Sequence, residues 1–272
     1  MVSALLGGWR SGRSAVGVWC SSRDSLVAES VASVKPDYVC IDMQHGASNF
    51  GNLVEMLQAV RSGGSAAVVR VPENSLALIN KALDAGADGI IVPLVETVDG
   101  ARRAVEACRY PPRGRRSYGP FRATITGRSG APELEDVACI VMIETADGLA
   151  NVEEIAKVEG LTALYVGPSD LSIALGLPPA SLQEPEFVEA LERIRQAAVG
   201  AGLVAGMHTH DGEVAAGYLA QGFGMVTVAS DMTSLRAAVG RHVDRARAGV
   251  PQSAPVVTSP DRPGLVSEGA EG

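Results

Sequence analysis

Two short apolar runs in this chain end abruptly in a carboxylate. Val141-Met142-Ile143 stops at Glu144, and Tyr165-Val166-Gly167-Pro168-Ser169 leads into Asp170. A helical pattern lies between them, so the runs read as consecutive strands of a βαβ unit. Parallel neighbours joined by a right-handed crossover end on the same edge of a sheet, which lets the two carboxylates converge. Such oxygen pairs suit a hard divalent cation whose remaining positions are filled by water or substrate. Each carboxylate could instead cap the helix that follows it, because negative charge stabilises a helix N-terminus.

Other strand ends add to the list. One run ends in Asp42-Met43-Gln44-His45-Gly46, and another, Ala66-Ala67-Val68-Val69, ends in Arg70. A histidine after a strand-end carboxylate is a candidate base. A guanidinium closing a buried run needs a partner, either a structural carboxylate or a developing negative charge. His208 and His210 end a further run in an HxH pattern that could bind metal, although a rim or solvated role is the preferred reading. His242 falls in the last helical pattern and reads as surface.

The elements that must position these groups are legible as apolar segments. Strand-like runs cover Ala15–Cys20, Tyr38–Ile41, Ala66–Val71, Gly89–Val92, Ala138–Ile143, Ala163–Val166, Leu203–Met207 and Met225–Val228. Helical patterns between them include Leu53–Val60, Leu76–Leu83, Ala101–Ala107, Val188–Ala198 and Leu235–Ala246. Alternating β and α segments with near-continuous apolar strands indicate a parallel sheet covered by helices. About eight such units fit a (β/α)8 TIM barrel, and no GxGxxG opens the first helix to favour a Rossmann sheet. In a barrel, the βα junctions at the C-terminal face form the active site, and His45, Arg70, Glu144 and Asp170 all fall there. Residues 1–249 are expected to form this one domain. The Pro-, Ser- and Gly-rich stretch 250–272 lacks periodicity and reads as a disordered tail.

Composition narrows the function classes. The chain has 272 residues, 46% of them hydrophobic, enough for a large core. A net charge of −8 argues against a nucleic-acid surface. No apolar run approaches a membrane span, and the short apolar start lacks a basic leader, so a cytoplasmic location is expected. The four cysteines show no CxxC pair and read as reduced core residues. The segment Tyr110–Glu135, with Arg113, Arg115, Arg116, Arg122 and Arg128, departs from the repeat. It reads as a subunit-contacting loop, with anchoring of an anionic substrate group as the alternative.

These pieces resemble the HpcH/HpaI family of class II, metal-dependent pyruvate aldolases. The likeness is carried by Asp42-Met43-Gln44-His45-Gly46, Val69-Arg70-Val71-Pro72, the stretch from Ala85 to Pro93, Tyr110-Pro111-Pro112-Arg113-Gly114, Ile143-Glu144-Thr145 and Val166-Gly167-Pro168-Ser169-Asp170-Leu171. It runs from about Trp19 to Ala229 in consistent order. The resemblance implies a barrel of the phosphoenolpyruvate/pyruvate-binding type. It also implies a carbon–carbon lyase that cleaves or forms 4-hydroxy-2-oxo acids through a metal-stabilised pyruvate enolate. Glu144 and Asp170 would hold magnesium, manganese or cobalt. Arg70 would stabilise the enolate oxygen, His45 would take the aldol hydroxyl proton, and the backbone around Gly167 and Ser169, with Asp170, would help hold the substrate. No Schiff-base lysine is required. Many members carry glutamate before the histidine, where this chain has Gln44, making the local charge one unit less negative.

The resemblance also pairs an aspartate at the position of Asp84 with the histidine. Asp84 falls near the end of the helix from about Ser75 to Ala85, which spans roughly 15 Å and leads away from the C-terminal face. Any such dyad is therefore expected to cross a subunit interface. The family is associated with oligomers, often hexamers. Alternatives that keep the same enolate chemistry are oxaloacetate decarboxylation and a biosynthetic condensation or cyclisation. A non-catalytic barrel subunit is the alternative from another class.

Overall fold

A computed structural model describes residues 4–122, 124, 125, 130 and 134–249. The chain divides into two compact units, Met1–Ser234 and Leu235–Gly272. The first holds a closed barrel of eight parallel strands in sequence order, which is the expected (β/α)8 fold. The strands are β1 (Ala15–Cys20), β2 (Tyr38–Asp42), β3 (Ala66–Arg70), β4 (Gly89–Val92), β5 (Ala138–Ile143), β6 (Ala163–Val166), β7 (Val204–His208) and β8 (Met225–Ser230). The expected tail, 250–272, lies outside the described residues.

The helices are α1 (Ala4–Arg10), α2 (Ser25–Ser33), α3 (Phe50–Ser62), α4 (Leu76–Asp84), α5 (Val98–Cys108), α6 (Ala146–Ala150), α7 (Val152–Ala156), α8 (Pro168–Ala174), α9 (Pro185–Gly200), α10 (Gly212–Ala220) and α11 (Asp231–Ala248). The last begins in the first unit and continues into the second. No described helix is long and apolar enough to cross a membrane.

Two buried layers follow from the period-2 alternation of strand side chains. Val39, Ile41, Ala67, Val69, Cys139, Val141, Ile143, Leu164 and Val166 pack outward against the helices. Their neighbours Tyr38, Cys40, Ala66, Val68, Ala138, Ile140, Met142, Ala163 and Tyr165 fill the lumen. Each fully buried aliphatic side chain contributes ~1.5–3 kcal/mol, so the register is strongly fixed. The apolar residues from Ala4 form α1, which packs onto the barrel. Its Leu5 and Leu6 join the lumen cluster, and Trp9 Nε1 donates to the Gly224 carbonyl. All four cysteines are buried and free.

The lumen parity decides which residues can meet at the mouth. Counting by twos from Tyr38 reaches Asp42, from Ala66 reaches Arg70, from Met142 reaches Glu144, and from Ala163 reaches Gly167. Gly206 leads likewise to His208. The strand-end groups are therefore the top layer of the lumen stack, set by the same alternation that fills the core below.

Candidate active site

His45, Arg70, Glu144, Gly167, Ser169 and Asp170 line one cavity of about 160 Å3 at the mouth, together with Trp19, Met142, Pro168, His208 and His210. The expected convergence of the strand ends is present. A larger cavity, about 550 Å3, opens among residues preceding the strands, at the opposite end, lined by Arg13, Lys35 and Asp37 among others. Asp37 there already accepts from the Val16 N–H, and none of the strand-end groups faces it. Chemistry, rather than size, identifies the mouth.

Asp42 and Arg70 sit opposite each other in the β2–β3 register. Arg70 Nε donates to Asp42 Oδ1 at 2.9 Å and Nη2 to Oδ2 at 2.6 Å. Both residues are buried. Burial opposes ionisation of Asp42, but the hydrogen bonds and charge of Arg70 outweigh it and hold the carboxyl below its usual range. The guanidinium lies 5.0 Å from the Trp19 ring centroid, a cation–π contact that adds to its fixation. The structural partner considered for Arg70 therefore exists, and Arg70 still borders the cavity. His45 is exposed on the turn after β2, with its backbone N–H donating to Asp42 Oδ1 at 3.3 Å.

Glu144 follows β5 and is only 2% exposed. It is not the cap of the next helix: Thr145 takes that position and accepts from the Gly148 N–H. Glu144 Oε1 accepts from the Leu94 N–H at 2.9 Å. Leu94 holds a positive φ of 53°, an unfavourable backbone for a branched side chain. Glu144 Oε2 is buried without a hydrogen-bond partner. A Cβ added at Gly167 would lie 2.1 Å from that oxygen, so only glycine leaves the space open. Burial lifts the Glu144 carboxyl to about 7; the Leu94 N–H opposes this, the charge of Asp170 adds to it, and Arg70 opposes it again. Asp170 is exposed in the first turn of α8, where its charge also favours the helix.

The donor set fits a hard cation. Among the described residues no group of three His, Cys, Asp or Glu side chains gathers as a closed metal site. Two carboxylates, one with a buried and unpartnered oxygen, leave most positions to water or substrate, as magnesium-type sites do.

Asp84 does not line the cavity. It ends α4, and its Oδ1 accepts from Arg116 Nη2 at 3.0 Å. Arg116 is buried, donates to the Leu134 carbonyl, and lies 4.7 Å from the Tyr110 ring centroid. Arg122 donates to the Ala85 carbonyl, and Arg113 pairs with Glu135. Arg113, Arg116 and Arg122 are thus tied into their own chain, and among the described residues no arginine of this segment borders the mouth cavity. Arg128 lies outside the described residues.

The cavity also takes in Trp19 and the HxH pair at its rim, His208 half-buried and His210 exposed. His208 has the lumen parity of β7 and ends its strand, as Arg70 does on β3.

The comparisons agree with this geometry. The family model for HpcH/HpaI aldolase/citrate lyase matches residues 15–238. A hydroxypyruvate/pyruvate aldolase of Rhizorhabdus wittichii is 40% identical over 243 residues, covering 88% of this chain and 97% of that protein. A 2-keto-3-deoxy-L-rhamnonate aldolase of Salmonella gallinarum is 36% identical, covering 82% and 85%. The crystal structure of an HpcH/HpaI aldolase/citrate lyase family protein from Burkholderia cenocepacia superposes with a TM-score of 0.82 at 31% identity, covering 90% and 99%. With aldolases this similar over more than four-fifths of its length, the protein is an aldolase, a carbon–carbon lyase, and it belongs to the HpcH/HpaI aldolase/citrate lyase family.

Proposed function

We propose that the protein is a divalent-metal-dependent aldolase that cleaves or forms 4-hydroxy-2-oxo acids through the enolate of pyruvate or a close analogue. The observation that carries this reading is the buried, unpartnered Oε2 of Glu144, kept open by Gly167 and facing the same cavity as Asp170. A buried carboxylate left in this state calls for positive charge. Magnesium, manganese or cobalt, held by Glu144 and Asp170, would supply Lewis acidity toward the substrate's oxo and carboxylate oxygens.

The chain's own residues account for the remaining steps. Arg70 is held rigidly by Asp42 and meets the oxo oxygen as it gains negative charge on carbon–carbon cleavage. A preplaced cation of this kind needs no reorganisation at the transition state. His45, exposed at the rim, takes the proton of the 4-hydroxyl, directly or through water, and so starts the cleavage. The backbone around Gly167 and Ser169 holds the substrate carboxylate. The cavity is smaller than a typical drug-sized pocket, consistent with a short 2-oxo acid as the fixed half of the substrate. Asp84 enters this scheme only across a subunit interface of a homo-oligomer, paired with His45 of the partner subunit.

The test is pyruvate release from a panel of 4-hydroxy-2-oxo acids by protein loaded with manganese or cobalt, beside Glu144→Ala. Release is expected to fall ~100–1,000-fold in the variant, by analogy with losing a principal charge stabiliser. Titration calorimetry is expected to show cation binding lost with it. Unchanged turnover in Glu144→Ala would sink the reading, and oxaloacetate turnover without aldehyde exchange would turn it toward decarboxylation.

A further inference from the structure

Beneath the mouth, the lumen contains a line of hydroxyl groups that the scheme above does not use. Tyr38 Oη shares a hydrogen bond with Thr227 Oγ1 at 2.9 Å, and Thr227 Oγ1 shares another with Tyr165 Oη at 2.6 Å. Tyr165 Oη then reaches His208 Nδ1 at 3.5 Å, the long end of hydrogen-bonding range. Tyr38, Tyr165 and Thr227 are fully buried. Burying a hydroxyl is unfavourable unless it is paired, and phenylalanine or valine would fill similar space without that requirement.

The backbone also accommodates the two tyrosines specifically. Gly17 is the register partner of Tyr38, and Gly206 that of Tyr165. A Cβ at Gly17 would lie 2.2 Å from the Tyr38 ring, and one at Gly206 would lie 2.4 Å from the Tyr165 ring. The chain therefore makes room on two strands for rings whose hydroxyls meet at Thr227.

The line ends at the site. His208 borders the cavity with Arg70 and Glu144. Its ring is held on three sides: by the Tyr165 hydroxyl, by Trp19 at 4.8 Å between centroids, and by His210 at 4.7 Å. Burial, His210 and Arg70 together push its pKa down to about 3, with Asp42 opposing. A neutral imidazole is no anchor for a carboxylate, a task the reading above gives to the backbone around Gly167 and Ser169. It offers one donor and one acceptor nitrogen, and with Nδ1 turned to Tyr165 the other nitrogen, Nε2, remains for a ligand. A hydroxyl group, which both donates and accepts, matches either tautomer.

We propose that His208, positioned by the Tyr165–Thr227–Tyr38 hydroxyl line, is a specificity-determining residue that hydrogen-bonds a hydroxyl group of the substrate. The site then prefers hydroxylated substrates over their deoxy counterparts. The inference rests on the aldolase reading of the same cavity. The hydroxyl could belong to the 2-oxo acid half or to the aldehyde half, and two arms of one experiment separate these sources.

Aldol formation is measured for hydroxypyruvate against pyruvate with one aldehyde, and for glycolaldehyde against acetaldehyde with pyruvate. The wild type is compared with His208→Phe, His208→Gln and Tyr165→Phe. In His208→Phe one of the two hydroxyl-to-deoxy ratios of kcat/KM is expected to fall about tenfold, the scale of one hydrogen bond at a desolvated site. His208→Gln, which keeps a donor and an acceptor, restores part of that ratio. Tyr165→Phe, which removes one oxygen, lowers it by less, and carries the test if His208→Phe does not fold. The arm that moves identifies the half of the substrate that is read. Both ratios unchanged in a folded His208→Phe, or in Tyr165→Phe where that variant stands in, would overturn the proposal while leaving the aldolase reading intact. A wild type that exchanges no methyl protons of pyruvate with solvent deuterium, whatever metal is supplied, would overturn both.

Discussion

The two sides of the barrel mouth treat a buried carboxylate in opposite ways. On the β2–β3 side, Asp42 accepts two hydrogen bonds from Arg70 and another from the Gln44 N–H at 3.0 Å. Its charge is fully answered within the chain, and its carboxyl titrates low. On the β5–β6 side, Glu144 receives one N–H, has a second oxygen with no partner, and titrates near 7. Both side chains lie in the same layer of the lumen and are 2% exposed. Their burial is alike, so the difference lies in the partners. A satisfied carboxylate holds a cation of the chain in position; an unsatisfied one has an oxygen left over for a proton or a cation from outside. What sets Glu144 apart is the combination of an unmet oxygen with a place on the mouth cavity beside Asp170.

The comparison breaks most visibly in stability. Asp42→Asn removes the charge that answers Arg70 and leaves a buried guanidinium uncompensated, a change that costs ~3–5 kcal/mol in comparable buried pairs. Chemical denaturation of the cation-free protein is expected to show a loss on that scale. Glu144→Gln, measured in parallel, is expected to be no less stable than wild type, because it removes a charge the fold does not satisfy. Equal destabilisation by the two substitutions would mean that both carboxylates are structural, and the contrast would fail.

The next effect falls on cation affinity. A methyl group at position 167 would sit 2.1 Å from Glu144 Oε2, so Gly167→Ala must displace that oxygen while leaving the Asp42–Arg70 pair untouched. Loss of a supporting element around a metal ligand typically lowers affinity 10–100-fold, and the same range is expected here by calorimetry with manganese. Affinity equal to wild type would show that Glu144 Oε2 is not a ligand.

Much of this arrangement was legible in the sequence, for a physical reason. The strands emerge to within two residues of their expected ends, because each is buried on both faces and bounded by a turn. That was enough to bring His45, Arg70, Glu144 and Asp170 to one rim. What was not legible depends on tertiary neighbours. The positive φ that lets Leu94 direct its N–H at Glu144 has no sequence signature. The arginines around Tyr110 carry no periodicity, so nothing local reveals that Arg116 points inward to Asp84. Gln44 is a mixed case: the substitution was visible, but its buried Oε1 without a partner was not. His208 could have been placed by counting lumen parity along β7, which a helix-or-strand reading does not do.

The smallest expected effect is the dependence of stability on pH, and its sign differs between the two carboxylates. Asp42 has a folded pKa below its unfolded value of ~3.9. Its contribution is therefore present above about pH 4 and is lost as pH falls through the lower, folded value, where the native carboxylate takes up its proton. Glu144 has a folded value of about 7, above the unfolded value of ~4.3. In cation-free protein the folded state binds the extra proton between these limits, so stability falls as pH rises from about 4 through 7. Denaturation midpoints of stripped protein should accordingly show a gap between wild type and Asp42→Asn that narrows only below about pH 4. Glu144→Gln should remove a downward slope between about pH 4 and 7. Saturating manganese should flatten that slope in the wild type, since a bound cation replaces the proton on Glu144. A slope that persists in Glu144→Gln would assign it to another group and leave the two sides of the mouth electrostatically alike.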